Sequence, residues 1–262
     1  SDWNVWWPAT GALIGIGFLC KWTNAMQLVS ILIFLSSSPR LRLHFRQIGF
    51  WSLLLTFVLF AIPPIIWNAN HSWITFAHVG QRGGLEKPFS IRIGEPFAFL
   101  GIHLGVYSPI LFGALLIAMG YSLLKWNSHV KTRFLLSFTL PLFLMYGFLS
   151  LRKAGEANWT APAMLSLGIL GAAWWHERAL QSSLTRRVLG YGFALALVLS
   201  VMIIDVDLVR KTGIPWPRKL DPSARLRGWQ TAAEAIAELR SNIEKEIGRP
   251  VFLIARNYQA AS

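Results

Sequence analysis

Residues 49–67 read GFWSLLLTFVLFAIPPIIW, nineteen positions without a charge. A bilayer's hydrocarbon core is about 30 Å thick, and roughly 20 apolar residues in a helix cross it. The stretch is therefore a membrane span. Its prolines, Pro63 and Pro64, are tolerable in lipid only where neighbouring helices or water satisfy the carbonyls they free. Outward from it, the same ruler picks out Val5–Cys20 and Trp22–Pro39, two charge-free runs separated by Lys21 alone. A lysine in the middle of one long helix costs about 3 kcal/mol on insertion scales, so a hairpin with Lys21 at its tip is expected. Pro96–Leu124 is too long for one straight crossing; its first half should lie along the surface or tilt before the run from Pro109 crosses. Phe134–Leu151, Ala157–Trp175 and Val188–Ile204 bring the count to about seven, or eight if the long run divides.

Composition points the same way. Hydrophobic residues fill 54% of the chain and charged ones 14%, against about 25% in a soluble domain, so the polar surface of a globule is missing. Trp6, Trp7, Trp22, Trp67, Trp126, Trp174 and Trp175 stand at the ends of apolar runs, where amphipathic rings settle at headgroup depth. A net charge of +13 in a soluble protein would suggest nucleic acid. Here the Lys and Arg lie in short loops between apolar runs, as membrane proteins carry them, and no nucleic-acid partner is expected. The one cysteine, Cys20, lies in an apolar run and supports neither a disulfide framework nor a Cys-based metal site. The chain opens on Ser1-Asp2-Trp3, with no initiator Met and no basic leader, so residue 1 is expected to be an internal position of a longer protein.

With seven spans the two ends face opposite sides. One set of short loops carries Arg40, Arg42, Arg46, Lys125, Lys131, Arg133, Arg178, Arg186 and Arg187, with Glu177 the only acid. The other carries Lys21, Arg82, Lys87, Arg92, Arg152 and Lys153, with Glu86, Glu95 and Glu156. Nine cations against six make the first set cytoplasmic. The tail from Leu208 adds ten more Lys and Arg to the outer side, but long translocated domains escape the rule. A multi-pass inner (plasma) membrane protein follows, mainly α, with residues 1–207 as a helical bundle and 208–262 as the truncated start of a periplasmic α/β domain. In that tail Asp221-Pro222-Ser223 is a turn or cap, Leu226–Ile247 has helical periodicity, and Val251–Ala255 reads as a short buried strand. No internal repeat or low-complexity tract is present.

Three outer clusters can carry chemistry. Lys21, in Cys-Lys-Trp-Thr-Asn, is an ammonium at the membrane boundary able to hold a lipid phosphate, and it reads equally well as a snorkelling anchor. The 67–95 loop is longer than a connector needs and concentrates Asn68, Asn70, His71, His78 and Arg82, a set suited to phosphate, sugar hydroxyls and proton shuttling. A solvated loop with interfacial aromatics is its plainer reading. His71 and His78, seven apart, match no metal-ligand spacing, and no metal-binding residue is expected. The tight turn Arg152-Lys153-Ala-Gly-Glu156-Ala-Asn158-Trp159-Thr160 holds Glu156 and Asn158, which unlike Arg152 and Lys153 do not read as interfacial anchors. His103, alone in an apolar run, is a satisfied packing residue, and Asp205 and Asp207 mark the polar end of the last span. The three clusters emerge on one face, which suggests a site at the membrane–water boundary for something lipid-linked.

The order of these segments resembles a known superfamily. Gly15-Ile-Gly-Phe-Leu-Cys-Lys21-Trp-Thr-Asn is similar to the leucine-rich, then Lys-Tyr-Thr, segment of bacterial glycosyltransferases related to the protein O-mannosyltransferases. Ser38-Pro39-Arg40-Leu-Arg42, Ile65-Ile-Trp67-Asn68-Ala-Asn70-His71-Ser-Trp73-Ile, Glu156-Ala-Asn158-Trp159-Thr-Ala-Pro162-Ala and the tail from Asp221 resemble later landmarks in the same order. The resemblance is to the GT-C superfamily that includes the lipid A aminoarabinose transferase, glycosyltransferase family 39-like. It implies a GT-C-like bundle that moves a sugar, with inversion, from a polyprenyl-phosphate donor to a lipid, glycan or protein acceptor among the membrane lipids. It implies that Lys21 holds the donor phosphate and that Trp159 lies near it, while His78 and Arg82 parallel a His/Arg pair at a different spacing. The family's catalytic base is an aspartate in the first periplasmic loop. No Asp lies between Asp2 and Asp205, and Asp2 falls on the cytoplasmic side, so the base is expected before residue 1 and these residues alone should be inactive. The catalytic residue is thus unknown, and whether a divalent metal assists, which sugar moves and the oligomeric state stay open. The competing class, a lipid or oligosaccharide transporter or flippase without covalent chemistry, predicts mid-membrane charge pairs and related halves, and neither is seen. A non-catalytic scaffold of an envelope assembly would tolerate substitution in the polar loop and the Glu156 turn.

Overall fold

Three glycines set the first helix pair. Helix α1 (Trp6–Cys20) leads through a 3-10 turn (Trp22–Ala25) into α2 (Met26–Ser36), a short α3 (Pro39–Arg42) follows, and α4 (Ile48–Asn70) lies along α1. A Cβ on Gly11 would stand 2.1 Å from the Leu53 carbonyl oxygen, one on Gly15 2.5 Å from Phe60 Cβ, and one on Gly49 2.4 Å from Trp7 Cδ1. Small residues let membrane helices touch backbone to backbone, and the pairing of 7 with 49, 11 with 53 and 15 with 60 makes the two helices parallel. Both therefore end at the same end of the bundle, where Lys21 and the loop after Asn70 lie. This is the computed structural model of the chain, and it describes residues 4–85, 88, 90–204, 206–211, 213 and 228–254.

After α4 come a short α5 (Ile74–Arg82), α6 (Gly94–Tyr107), α7 (Pro109–Leu124), α8 (Val130–Leu149), α9 (Ala161–Gln181) and α10 (Ser183–Ile204). The long apolar run breaks as its length requires: α6 and α7 meet at 111° on Ser108, whose φ is +63°. Pro109 disfavours a helical residue before it, and the Ser108 hydroxyl caps α7 by accepting from the Leu111 N–H. α2 runs antiparallel to α8, with Phe34 edge-on to Phe134, and α8, α9 and α7 close around Phe112, Leu136, Met164, Leu167 and Leu170. Elsewhere large apolar side chains face outward, Leu55 at 62% and Leu165 at 70% exposed, which water would not tolerate over such an area and lipid does.

All seven apolar runs are helical, and 82% of the described residues lie in helices. Among the described residues α4, α8 and Ser183–Met202 of α10 are each long and apolar enough to cross a membrane, and the bent α6–α7 pair makes four when counted as one broken span. The expected seven spans are thus not seven self-sufficient ones. α1 and Trp22–Ser36 are short apolar helices, and α9 closes on the polar His176, Glu177 and Arg178.

Val198–Ser262 clusters as a second unit. It holds α11 (Val206–Lys211), where Arg210 pairs with Asp207 at 2.9 Å, and α12 (Trp229–Ile247), bounded by Gly228 and Gly248 in the left-handed region. α12 falls where periodicity placed it. The strand expected at Val251–Ala255 is not seen: residues 251–254 carry none, no strand occurs among the described residues, and a lone strand has no partner edge to pair with. Instead Val251 donates its N–H to Glu244 Oε1 at 3.0 Å, which with Arg240 holds the Glu244 carboxyl below its ordinary range. Asp221-Pro222-Ser223, Glu86, Lys87, Asp205 and Ala255 lie outside the described residues.

Candidate functional site

A cavity of about 540 Å³ opens where α1, α5, α8 and the turn before α9 meet, and Lys21, His78 and Trp159, one from each sequence cluster, line it together. Each is placed by local chemistry. α1 stops at Cys20, Lys21 is extended (φ −153°, ψ 118°) with its N–H on the Gly17 carbonyl, and Asn24 folds back to donate to the Ile14 carbonyl at 3.0 Å. That fold needs Gly17, since a Cβ there would stand 2.2 Å from Asn24 Nδ2. Trp22 packs on Phe18 (4.9 Å) and meets Phe76 of α5 edge-on (4.4 Å), which seats α5 beside the tip. α5 is delivered by Asn68, 1% exposed, whose Oδ1 accepts from the Thr75 N–H (3.1 Å) and whose Nδ2 donates to the Pro64 carbonyl (2.9 Å). The chain reverses there through Ser72 and Trp73, both with positive φ.

Trp159 lies 5.3 Å from the Tyr146 ring and on the backbone of Gly155, whose φ of +73° and lack of Cβ are both required: a Cβ would stand 2.9 Å from the indole. Tyr146 and Thr23 both line the cavity at the tip. His103, fully buried, ties α6 to this turn: Nδ1–H donates to the Phe99 carbonyl and Nε2 accepts from Thr160 Oγ1, both at 2.7 Å. Val79, Leu85, Met145 and Leu149 make the remaining wall apolar, and partial burial lowers the Lys21 pKa below the usual lysine range.

The other candidates do not line this cavity. Asn68 holds the backbone behind it. His71 donates to the Trp67 carbonyl at 2.7 Å and stacks on Trp67, and Glu156 and Asn158 are exposed on the turn. The side chain of Arg82 lies outside the described residues. Thr23 and Tyr146 were not singled out; Thr23 stood in the Lys-Trp-Thr signal, whereas Tyr146 sits in an apolar run and reads there as packing. A polar recess of about 240 Å³ adjoins across the Gln81–Leu85 turn, with Arg92, Arg152 and Lys153 facing Glu95. The Ala154 N–H on Glu95 Oε2 (2.8 Å) and the Arg92 N–H on the Leu151 carbonyl (2.9 Å) hold its walls together. Among the described residues no three His, Cys, Asp or Glu side chains converge.

Residues 2–67 match the family model of the dolichyl-phosphate-mannose-protein mannosyltransferases. This match supports a GT-C-like glycosyltransferase. It spans α1, the Lys21 tip, α2 and nearly all of α4, so the lysine of the cavity falls within it. Comparison with curated proteins and with solved structures gave no match. The apolar helices are those of a membrane protein, and the match over residues 2–67 points to glycosyltransferase activity in general terms.

Proposed function

We propose that the chain is the helical part of an inner-membrane glycosyltransferase that moves a sugar, with inversion, from a polyprenyl-phosphate donor to an acceptor at the outer leaflet or on the periplasmic side. The observation that carries this is the meeting of Lys21, His78 and Trp159 in one largely apolar cavity beside a cationic recess. A long isoprenoid suits the apolar wall, its phosphate suits the ammonium, and the aromatic suits a sugar face. In transfer, the acceptor oxygen attacks the anomeric carbon, the bond from that carbon to the phosphate oxygen breaks, and polyprenyl phosphate leaves as a dianion. Lys21 stabilises that growing charge, Trp159 and Tyr146 bound the sugar end, and the recess adds positive potential to the same mouth. His78 lies within reach of the phosphate end. Among the described residues Glu95 is committed to Ala154 and Glu156 is outside the cavity, so neither is placed to take the acceptor's proton.

The test is transfer of label from a radiolabelled polyprenyl-phosphate sugar into membrane acceptors, comparing cells with the intact gene, a deletion, and Lys21→Ala or Trp159→Ala. Label lost in the deletion and reduced about tenfold or more in both variants is expected, since a charge-assisted contact is worth about 1.5–3 kcal/mol. Normal transfer in the variants overturns the assignment of the cavity; normal transfer in the deletion overturns the function.

A further inference from the structure

A second cavity, of about 320 Å³, opens at the other end of the same helices, where α7 stops at Leu124, α8 begins at Val130 and α9 reaches its last turns. α8 gives Tyr146 to the first cavity and Thr132 to the second, and at 1.5 Å per residue about 21 Å of helix separates them. α8 is apolar and long enough to cross a membrane, so its first turn marks the boundary opposite Lys21. A ligand here meets the protein at headgroup depth.

The lining is built of donors. Arg178, Lys125, Ser128, His129 and Thr132 face a single carboxylate, Glu177. The Arg178 guanidinium is held in place: its carbon lies 3.3 Å from the Trp174 ring centroid and 5.1 Å from that of Tyr121, and Nη1 donates to the Trp174 carbonyl at 3.0 Å. The indole N–H of Trp174, which also lines the cavity, is buried with no acceptor among the described residues. α8 enters with His129 at its N-cap and no side-chain cap, so the amides of its first turn, and the positive end of its dipole, lie at the same opening. A fixed guanidinium, an ammonium and uncapped amides at one opening ask for an anion with several oxygens.

We propose that this cavity binds the headgroup of a membrane glycerophospholipid in the leaflet opposite the Lys21 cavity. The phosphate oxygens accept from Arg178, Lys125 and the first-turn amides of α8, and Glu177 takes the ammonium of a phosphoethanolamine group. The inference is independent of sugar transfer.

Native mass spectrometry of the detergent-purified chain, titrated with dioleoyl phosphatidylethanolamine or dioleoyl phosphatidylglycerol, tests it, with inorganic phosphate and glycerophosphoethanolamine as soluble arms. One tightly held phosphatidylethanolamine is expected, weakened about tenfold or more in Arg178→Ala and in Lys125→Ala and less in Arg178→Lys. Glu177→Gln should erase the preference over phosphatidylglycerol. Lipid binding unchanged in Lys125→Ala, which leaves the Arg178–Trp174 packing intact, overturns the site. Equal binding of both lipids by the native chain overturns the ammonium contact, and soluble arms that bind as tightly as the lipids make the ligand a free phosphate compound and overturn the lipid.

Discussion

Replacing Gly155 with alanine should disturb the Lys21 cavity without replacing any group that faces it. Gly155 sits at φ +73°, where a Cβ costs an L-residue about 1–2 kcal/mol. The new methyl would also stand 2.9 Å from the Trp159 ring, so the indole must move by several tenths of an ångström or the turn must open. Overpacking of this kind adds about 1 kcal/mol or more. A total near 2–3 kcal/mol, at about 2–4 °C per kcal/mol for a chain of this size, lowers the melting temperature by about 4–12 °C. The indole shift should cost about tenfold in affinity for a fluorescent polyprenyl phosphate measured in detergent micelles. Gly155→Asn separates the two causes, because asparagine tolerates the left-handed region but still carries a Cβ. It should recover much of the melting temperature and little of the affinity. If Gly155→Ala melts and binds as the native chain does, Trp159 is not held by this contact and the account of the turn is wrong.

The α1–α4 contact should be equally unforgiving: Gly11→Ala puts a methyl 2.1 Å from a backbone oxygen that cannot rotate away, so a melting loss equivalent to about 1–3 kcal/mol is expected, whereas Gly120→Ala, with nothing within 4 Å, should be neutral. Thermal scans of both variants side by side check this. Phosphate binding that depends on the Lys21 charge should fade as pH rises through its lowered pKa, at lower pH than for an ordinary lysine, and Lys21→Arg should abolish the fade. The sign for stability is opposite: between the folded and unfolded pKa values the unfolded chain holds more protons, so Lys21 makes stability rise with pH there, read from melting curves of native and Lys21→Arg protein across that window.

Much of the helical plan was legible because apolar length is a blunt signal. The span read at Gly49–Trp67 is Ile48–Asn70, and the overlong Pro96–Leu124 had to break, as it does at Ser108. What a length rule cannot settle is how a short apolar helix such as α1, or one that closes on polar residues such as α9, sits in the membrane. Val251–Ala255 has strand composition, yet pairing depends on a partner that composition does not name. At the cavity, Lys21, His78 and Trp159 announced themselves as polar or aromatic groups at the ends of runs. Asn68 looked like a ligand contact and is a turn clamp, because the same amide serves both purposes. Tyr146 was invisible for the converse reason, a residue of an apolar run that comes to line the cavity with Thr23 only after α2 folds onto α8.

The backbone contact between α1 and α4 also divides the cavity into two leaves. Lys21 and α5 ride on the α1–α4 pair, which three glycines lock together, while Met145, Tyr146, Leu149 and Trp159 ride on α8 and the turn before α9. α2 goes with the second leaf, so two stretches of chain join the leaves beside the cavity: the 3-10 turn Trp22–Ala25, and the segment that runs on from α5 through Gly83 and Leu85 towards α6. Widening the cavity is therefore a parting of the two leaves about those two joints. Thr23 of the turn and Tyr146 of α8 both line the cavity, one on each side of the seam where that parting begins.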